Sequence, residues 1–377
     1  MDEKGINVGL EYDNACYEDN SMWFVERNNN ILCLLDRKKK QVIYRGIIPY
    51  HDNKAYRRHP RCIKWKNYIV CLPDLGKSIV VYNMENDSFK ECPIDAASHI
   101  RLGIYSFWER EGTIWCVSSG MNRIIEFNLE QCQIMGYYSI FMSDVDIVGV
   151  DACMSETTII CTSLTSRRLA FFDINTKTCR YFEAESEEPG YNSISVCGTK
   201  ICMSGFSNHI YFFDLDDNKV HSIELDKRKF HIYDNHNVEI LGFSKNPIFR
   251  KSFCTKNFIV FMPWHMSDSV ADSIVVCFWR DEKIEFYNIF TDICKNSLTY
   301  KGQYLSTMRF INENITEIYL DGESLCYLNV EDGNVWKETE AIEKIEYDKI
   351  FLDKNLIFRE VLRDDLKEYI YAVSKIN

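Results

Sequence analysis

Four cysteines recur along this chain at nearly equal spacing. Cys71, Cys116, Cys161 and Cys202 are 45, 45 and 41 residues apart, and each lies in a short apolar run, YIVCLP, TIWCVSS, TIICTSL or KICMSGF. A second apolar segment follows each run and ends in an aromatic residue and an Asx residue. These pairs are Tyr82 and Asn83, Phe127 and Asn128, Phe172 and Asp173, and Phe213 and Asp214. The chain is therefore built from repeats of roughly 40 to 50 residues.

Each repeat has the pattern of four short strands. In the second repeat the segments are RCIKWKN (61–67), YIVCLP (68–73), KSIVVYN (77–83) and SFKECPI (88–94). They are rich in β-branched and aromatic residues, and turn-forming residues separate them. A four-stranded repeat is typical of a β-propeller blade, which needs neighbours to bury its two faces. Seven copies between residues 14 and 340 predict an all-β, seven-bladed β-propeller over residues 1–345, with six or eight blades as alternatives.

The Asx residue that ends the third strand of most repeats indicates a turn cap. Its side chain can accept hydrogen bonds from backbone N–H groups of the turn that follows, as in FFDINTK. The alternative, a metal ligand, lacks the short paired spacing that metal sites show. We therefore expect these residues to shape the turns between strands three and four, and we predict no metal site.

The chain contains 16 cysteines, and their distribution argues against a disulfide framework. The four recurrent cysteines occupy one position in different blades, too far apart for the short Cα separation of a disulfide. No CxxC pair occurs, and 46% of the residues are hydrophobic, unlike a small disulfide-stabilised domain. We expect buried, reduced thiols that pack as small hydrophobic groups, with metal or redox use as the alternative.

Charge and hydropathy narrow the classes of partner. The formal net charge is −12, so no overall positive field attracts nucleic acid or an anionic membrane, and neither is predicted as a partner. No apolar run approaches the roughly 18 residues of a membrane span, and the amino terminus does not resemble a signal peptide. These features predict a cytoplasmic protein.

Residues 346–377 follow the last repeat and form a separate C-terminal segment. Phe358, Leu362, Leu366 and Tyr369 recur there at helical spacing, with charged residues between them. This pattern predicts an amphipathic helix that packs on the propeller. A helix that binds a partner is the alternative.

The predicted loops differ in length between the two ends of the blades. The connections between strands one and two, and between strands three and four, are short turns. The connections at the other end are long, namely 48–60, 95–105, 183–191, 226–250 and 265–272. Long loops in an otherwise economical repeat are usually functional or disordered, so we expect any binding site at that end.

Arginine, histidine and aromatic residues concentrate in or beside these long loops. Guanidinium groups bind carboxylate or phosphate in two-point geometry, and aromatic residues can form apolar walls. The alternative is that the arginines pair with acidic residues of neighbouring blades. The predicted ligand-binding residues at the mouth of the channel are Arg58, His59, Arg61, His99, Arg101, His231, Tyr233, His236, Arg250, Trp264 and His265.

No sequence motif identifies catalysis. GxSxG, P-loop, GxGxxG and HExxH patterns are absent, so no catalytic residue and no cofactor is predicted, and whether the chain is an enzyme stays open. Acidic pairs such as Asp144 with Asp146 and Glu187 with Glu188 fit solvated loop residues. Two hypotheses remain: a binding module for a protein or peptide partner, and an enzyme or binder for a small anionic substrate at the channel mouth.

The repeat also resembles a known superfamily. The recurrence over residues 12–340 resembles β-propellers, and the segment FFDINTKTCRYFE is similar to bacterial kelch-like and quinoprotein-like blades. The chain lacks the Gly-Gly pair of kelch repeats and the Trp-Asp dipeptide of WD repeats. The resemblance implies an architecture and transfers no functional residue.

Overall fold

The computed structural model describes residues 12–18, 20–26, 30–49, 57–97, 99–142, 146–216, 219–226, 248–263, 274–280 and 282–287, and the backbone of strands between 308 and 346. The chain divides into two compact units. Unit 1 contains Met1–Ser98, Asp321–Leu325 and Thr339–Asn377, and unit 2 contains His99–Leu320 and Cys326–Glu338.

Two sheets lie in unit 1. The first sheet has the order β1-β2-β3-β4-β29, and the second has the order β5-β6-β7-β8. The strands of the first sheet are β1 (Ala15–Glu18), β2 (Ser21–Glu26), β3 (Ile31–Asp36), β4 (Gln41–Ile47) and β29 (Lys344–Glu346). Those of the second are β5 (Arg61–Trp65), β6 (Tyr68–Leu72), β7 (Ser78–Asn83) and β8 (Ser88–Pro93).

Unit 2 begins with four sheets of four strands each. The strands of its first two sheets are β9 (Ile104–Arg110), β10 (Thr113–Ser118), β11 (Arg123–Asn128), β12 (Gln133–Ser139), β13 (Val148–Ser155), β14 (Thr158–Ser163), β15 (Arg168–Asp173) and β16 (Thr178–Glu183). Those of the next two are β17 (Ser193–Cys197), β18 (Lys200–Ser204), β19 (His209–Asp214), β20 (Val220–Glu224), β21 (Phe249–Cys254), β22 (Phe258–Pro263), β23 (Ile274–Phe278) and β24 (Ile284–Tyr287).

A last four-stranded sheet contains β25 (Met308–Phe310), β26 (Ile315–Asp321), β27 (Ser324–Glu331) and β28 (Asn334–Ala341). The four predicted strands of the second repeat are confirmed, with ends that differ by one or two residues. Strand β29 was not predicted. It pairs parallel to β4, with Ile345 opposite Val42, so the sheet that begins the chain gains a strand from beyond the last repeat. The predicted C-terminal helix lies outside the described residues.

The apolar core lies between neighbouring sheets. In unit 1, Trp23 and Val25 of the first sheet pack against Ile69, Cys71 and Tyr82 of the second. In unit 2, equivalent clusters fill the space between successive sheets from β9–β12 to β21–β24. In the sheets from β1–β4 to β21–β24, strands two and three are largely buried on both faces, which explains their continuous apolar sequences. Because each sheet needs a neighbour on each side to bury its apolar faces, a single repeat is not expected to fold alone.

The recurrent cysteines occupy equivalent strands, as predicted. Cys71, Cys116, Cys161 and Cys202 lie on β6, β10, β14 and β18, and all four are fully buried free thiols. Burial raises the pKa of each of these thiols, which disfavours the reactive thiolate. Their use as small apolar groups follows directly from this environment.

The turns after the third strands have the predicted Asx caps. Asp173 Oδ1 accepts hydrogen bonds from the backbone N–H groups of Asn175 and Thr176, at 3.0 and 2.7 Å. These bonds lower the pKa of the Asp173 carboxyl. The equivalent caps are Asp36, Asn83, Asn128 and Asp214. In four of these turns one later residue has a positive φ, namely Lys40 (50°), Asp87 (51°), Cys132 (49°) and Lys177 (60°).

Asp151 joins the first strands of three successive sheets in unit 2. It lies on β13 and is 1% exposed. Its Oδ2 accepts hydrogen bonds from the backbone N–H groups of Ile194 on β17, at 3.2 Å, and Ser252 on β21, at 2.9 Å. The Ser252 hydroxyl also donates to this oxygen at 3.2 Å. One buried carboxylate therefore accepts hydrogen bonds from backbone N–H groups of two neighbouring sheets.

Burial raises the pKa of Asp151 to about 6, and this effect outweighs the nearby positive charge of Lys251 and the hydrogen bonds that favour the ionised form. The folded protein therefore binds a proton here more tightly than the unfolded chain does. As pH rises from about 4 to about 6, this group lowers the free energy of unfolding.

We predict that Asp151→Asn removes this pH dependence. Between pH 4 and pH 6.5 the wild type should lose about 1–3 kcal/mol relative to the variant, measured by urea unfolding at each pH. Asp151→Ala should also remove this pH dependence, and at pH 4 it should cost about 2–4 kcal/mol, because the N–H groups of Ile194 and Ser252 lose this acceptor. Equal pH slopes for the wild type and Asp151→Asn would contradict the prediction.

Candidate functional site

Each repeat has two ends. At its loop end strand two joins strand three and the chain passes to the next sheet, and at its hairpin end strand one joins strand two. In unit 2 the loop end of the β17–β20 sheet is built around Glu188, which is 3% exposed. Glu188 Oε2 accepts from the N–H of Phe206 at 2.9 Å, and Oε1 accepts from the N–H of Ser207 at 3.0 Å. The Ser207 hydroxyl and the Tyr211 hydroxyl also donate to Oε1, the latter at 3.4 Å.

These bonds fix two segments against each other. One is the connection from β16 to β17, and the other is the turn from β18 to β19. Gly190 and Gly205 permit the close approach, because a Cβ at Gly205 would lie 2.4 Å from the Gly190 carbonyl oxygen. A Cβ at Gly190 would lie 2.3 Å from the carbonyl oxygen of Leu164. A larger residue at Gly205 would force these two segments apart, and one at Gly190 would collide with the backbone of Ser163 and Leu164.

A cavity of about 480 Å³ opens beside this anchor, and we call it the loop-end pocket. Its floor is aromatic, since Tyr211 is 7% exposed and packs edge-to-face on Tyr191 with 5.6 Å between ring centroids. Exposed carboxylates of Glu185 and Glu187 stand at its rim. The full lining is Glu185, Ser186, Glu187, Glu188, Pro189, Phe206, Ser207, His209, Tyr211, Val220, His221 and Ser222.

Two histidines line the loop-end pocket. His209 Nδ1 lies 3.1 Å from the Ser207 hydroxyl oxygen, and His221 Nε2 lies 2.9 Å from Glu282 Oε2. Ser207 is close to both Glu188 and His209, but the serine hydroxyl stands between the carboxylate and the imidazole. In a nucleophilic triad the imidazole stands between the other two groups. The geometry therefore supports binding rather than hydroxyl activation.

Among the described residues, no group of three or more His, Cys, Asp and Glu side chains is arranged to hold a metal ion. Within the same part of the chain, no helix is long and apolar enough to cross a membrane.

Comparison with known proteins gives a fold and no family. No protein-family model matches the chain, and no curated protein matches it. A streptogramin B lyase structure aligns with a TM-score of 0.58 and 14% identity, over 83% of this chain and 91% of the lyase. The computationally designed Ika8 protein aligns with a TM-score of 0.54 and 9% identity, over 88% and 89% of the two chains.

A third similar structure is PorZ, a bacterial surface component of the type-IX secretion system of Porphyromonas gingivalis. It aligns with a TM-score of 0.54 and 10% identity over 89% of this chain, which spans 39% of the PorZ chain. The repeated four-stranded sheets and these likenesses fit a β-propeller. At this identity the likeness shows the propeller fold alone, so the similarity to kelch-like and quinoprotein-like blades stays a prediction, as does the number of blades in a ring.

Three of the predicted ligand-binding residues lie in unit 1, where their side chains already bond to other groups of this chain. Arg61 Nη2 donates to Asp13 Oδ2 at 2.7 Å, and both side chains are nearly inaccessible. Arg58 Nη1 donates to the carbonyl oxygen of Leu75 at 2.8 Å. Arg57, next to Arg58 in the chain, bridges Asp13 and Asp74 at 3.1 and 3.0 Å.

His59 is also buried, with 1% exposure. Its Nε2 lies 3.0 Å from the carbonyl oxygen of Ser78, and its backbone N–H donates to Asn30 Oδ1 at 3.0 Å. Burial lowers the pKa of the imidazole to about 4, so this residue carries no charge near neutral pH. In unit 1, an anionic ligand would have to compete with Asp13 for Arg61 and would meet a neutral His59.

The other predicted residues belong to unit 2. His99 and Arg101 are exposed, and the Arg101 guanidinium lies 5.8 Å from the centroid of the Tyr105 ring. Arg250 lies on strand β21, but its side chain is outside the description. His231, Tyr233, His236, Trp264 and His265 lie outside the described residues. The ligand-binding role of this whole set stays a prediction.

The 183–191 loop was expected to carry solvated acids, which is right for exposed Glu187 and wrong for Glu188. Glu188 is a buried anchor and not a solvated loop residue, and Asp146 is likewise buried at 5% exposure. Asp146 accepts hydrogen bonds from the Ser163 hydroxyl at 3.2 Å and from Arg168 at 3.0 Å. A usable signal existed for Glu188, because Gly190 and Gly205 mark two places where backbone segments approach closely.

We predict that Glu188→Ala destabilises the propeller by about 2–4 kcal/mol, since it leaves the N–H groups of Phe206 and Ser207 without this acceptor. Glu188→Gln should fall between the wild type and Glu188→Ala, because one amide oxygen can replace one of the two acceptors. Denaturant unfolding measures both. The neighbouring exposed Glu187→Gln is the matched control and should change stability by less than about 0.5 kcal/mol. A loss equal to that of the control would contradict the anchor role of Glu188.

Proposed function

We propose that this chain is a propeller-fold binding module that receives a short, extended, basic peptide segment of a protein partner in the loop-end pocket. The observation that carries the proposal is the pocket lining. A preorganised aromatic floor with Tyr211 lies below a rim with the exposed carboxylates of Glu185 and Glu187. An aliphatic stem with a terminal cation, as in lysine or arginine, complements both surfaces.

The pocket also has an edge along which a peptide can lie. Val220, His221 and Ser222 belong to β20, the outermost strand of its four-stranded sheet. Outer strands present backbone groups that an extended peptide can bind by strand addition. Peptide N–H and C=O groups would pair with β20, and alternate basic side chains would reach Glu185 and Glu187. The net charge of −12 favours the approach of a basic partner.

The similar structures support a propeller scaffold and do not identify a ligand. The similar structures are a lyase, a designed protein and a secretion-system component, so one fold serves unrelated roles. In the described residues no triad geometry accompanies the pocket, which favours binding over catalysis. The sequence-based expectations of a cytoplasmic location and a closed seven-bladed ring are part of this proposal.

We predict that a labelled ten-residue peptide of alternating lysine and valine binds saturably, as measured by fluorescence anisotropy. The double variant Glu185→Gln with Glu187→Gln should bind roughly threefold to tenfold more weakly, because each exposed charge pair contributes about 0.2–1 kcal/mol. Higher salt should reduce the difference between the two proteins.

The control for this prediction is the charge-matched double variant Glu130→Gln with Glu156→Gln, which changes exposed residues that do not line the pocket. It should bind the peptide as the wild type does. An equal loss in both double variants would show non-specific attraction to an acidic protein and would contradict the proposal. Equal binding of a peptide with glutamate in place of lysine would do the same.

A further inference from the structure

Two cysteines outside the recurrent set meet between the first two sheets of unit 1. Cys16 lies on β1 and Cys62 on β5, and their sulfur atoms are 3.3 Å apart although the residues are 46 positions apart in the chain. Both are free thiols. A disulfide has a sulfur–sulfur bond of about 2.05 Å, so the two atoms need to approach by only about 1 Å to bond.

Contacts on both sides of Cys16 hold β1 against β5. Before it, Asn14 Oδ1 accepts a hydrogen bond from the backbone N–H of Cys62 at 2.8 Å. After it, the Glu18 carboxylate pairs with Lys64. Asn14, Cys16 and Glu18 alternate along an extended segment, so their side chains share the face that contacts β5. The contact between the two sulfur atoms is therefore supported by a polar contact on each side.

The two thiols differ in their access to solvent. Cys16 is partly buried, whereas Cys62 is 1% exposed and its thiol donates to the carbonyl oxygen of Trp23 at 3.4 Å. A soluble oxidant therefore reaches Cys16 first. Burial and the neighbouring thiol of Cys62 raise the pKa of Cys16, and the positive charge of Lys64 only partly opposes this. Little thiolate is present at neutral pH, so the reaction with an oxidant should be slow.

Two partly buried thiols in a comparable position of unit 2 have backbone partners instead. Cys197 ends β17 and Cys254 ends β21, the first strands of two neighbouring sheets, and both pack against one core cluster. The Cys197 thiol donates to the carbonyl oxygen of Lys256 at 3.9 Å, and the Cys254 thiol donates to that of Val196 at 2.9 Å. This pair is therefore an internal comparison for the reactivity of partly buried thiols.

We propose that Cys16 and Cys62 form a reversible disulfide, which links β1 to β5, when the protein meets hydrogen peroxide. The Cys16 thiolate attacks one peroxide oxygen and becomes a sulfenic acid, while the O–O bond breaks and the other oxygen leaves as hydroxide and is protonated to water. The Cys62 sulfur then attacks the sulfenic sulfur, and the thiol proton and the sulfenic hydroxyl leave as a second water. The two sulfurs lose two electrons in total, which the peroxide accepts. In a reducing compartment the bond forms only under oxidation.

The test treats the reduced full chain with a small excess of hydrogen peroxide for several hours, blocks the remaining thiols with iodoacetamide and maps the tryptic peptides by mass spectrometry. Trypsin cleavage after Lys64 places Cys62 and Cys71, which lie opposite each other in the β5–β6 ladder, in different peptides. We expect a cross-linked peptide that contains Cys16 and Cys62 and that a reducing agent separates. Its yield should exceed that of the unit 2 thiol pair roughly tenfold or more.

Two variants locate the reaction. Cys62→Ser should stop at the sulfenic acid of Cys16, which dimedone labels, and should give no cross-link. Cys197→Ser is the matched control, because it removes one partly buried thiol from unit 2, and it should form the Cys16–Cys62 bond as the wild type does. Absence of that bond in the wild type, an equal yield of a Cys197–Cys254 bond, or a Cys62–Cys71 bond in its place would overturn the proposal.

Discussion

Burial of both faces of each central strand is the constraint on which this structure depends. Strands two and three of the repeats are apolar on both sides, and the clusters between neighbouring sheets contain their side chains. A single four-stranded sheet would expose both apolar faces to water, at a cost of about 25 cal/mol for each Å² of apolar surface. The sheets therefore stack, and the polar residues that differ between repeats lie at the two ends of the strands.

Buried carboxylates connect the stacked sheets where apolar contacts end. Asp151 accepts hydrogen bonds from backbone N–H groups of two neighbouring sheets. Glu188 accepts hydrogen bonds from backbone N–H groups of the β18–β19 turn. Asp13 forms ion pairs with Arg57 and Arg61. A buried charge without such donors would be strongly unfavourable. Asp13 and Asp151 connect segments more than 40 residues apart in sequence, and Glu188 connects segments 18 and 19 residues apart. The role of these three acids is structural.

The sequence predicted those parts of the structure that repeat. The strands, the equivalent positions of Cys71, Cys116, Cys161 and Cys202, and the Asx caps all follow from a pattern that returns about every 45 residues.

Features that occur only once in the chain could not be predicted from the repeat. Arg61 looks like a ligand-binding residue until its partner Asp13 is seen, 48 residues earlier in the chain. Strand β29 carries no repeat pattern, and Glu188 resembles any loop acid until its donors are placed. The 183–191 loop was selected because of its length, and its role in binding stays a prediction.

The central claim is that this propeller binds a basic peptide at one end of the β17–β20 sheet and does so through the loop-end pocket. Hydrogen–deuterium exchange with and without the lysine-valine peptide tests it most directly. The account predicts slower exchange in 185–190, 205–211 and 220–224, and unchanged exchange in the hairpin-end turns at 198–200 and 256–257. Protection confined to those hairpin-end turns, or spread evenly over the acidic surface, would contradict it.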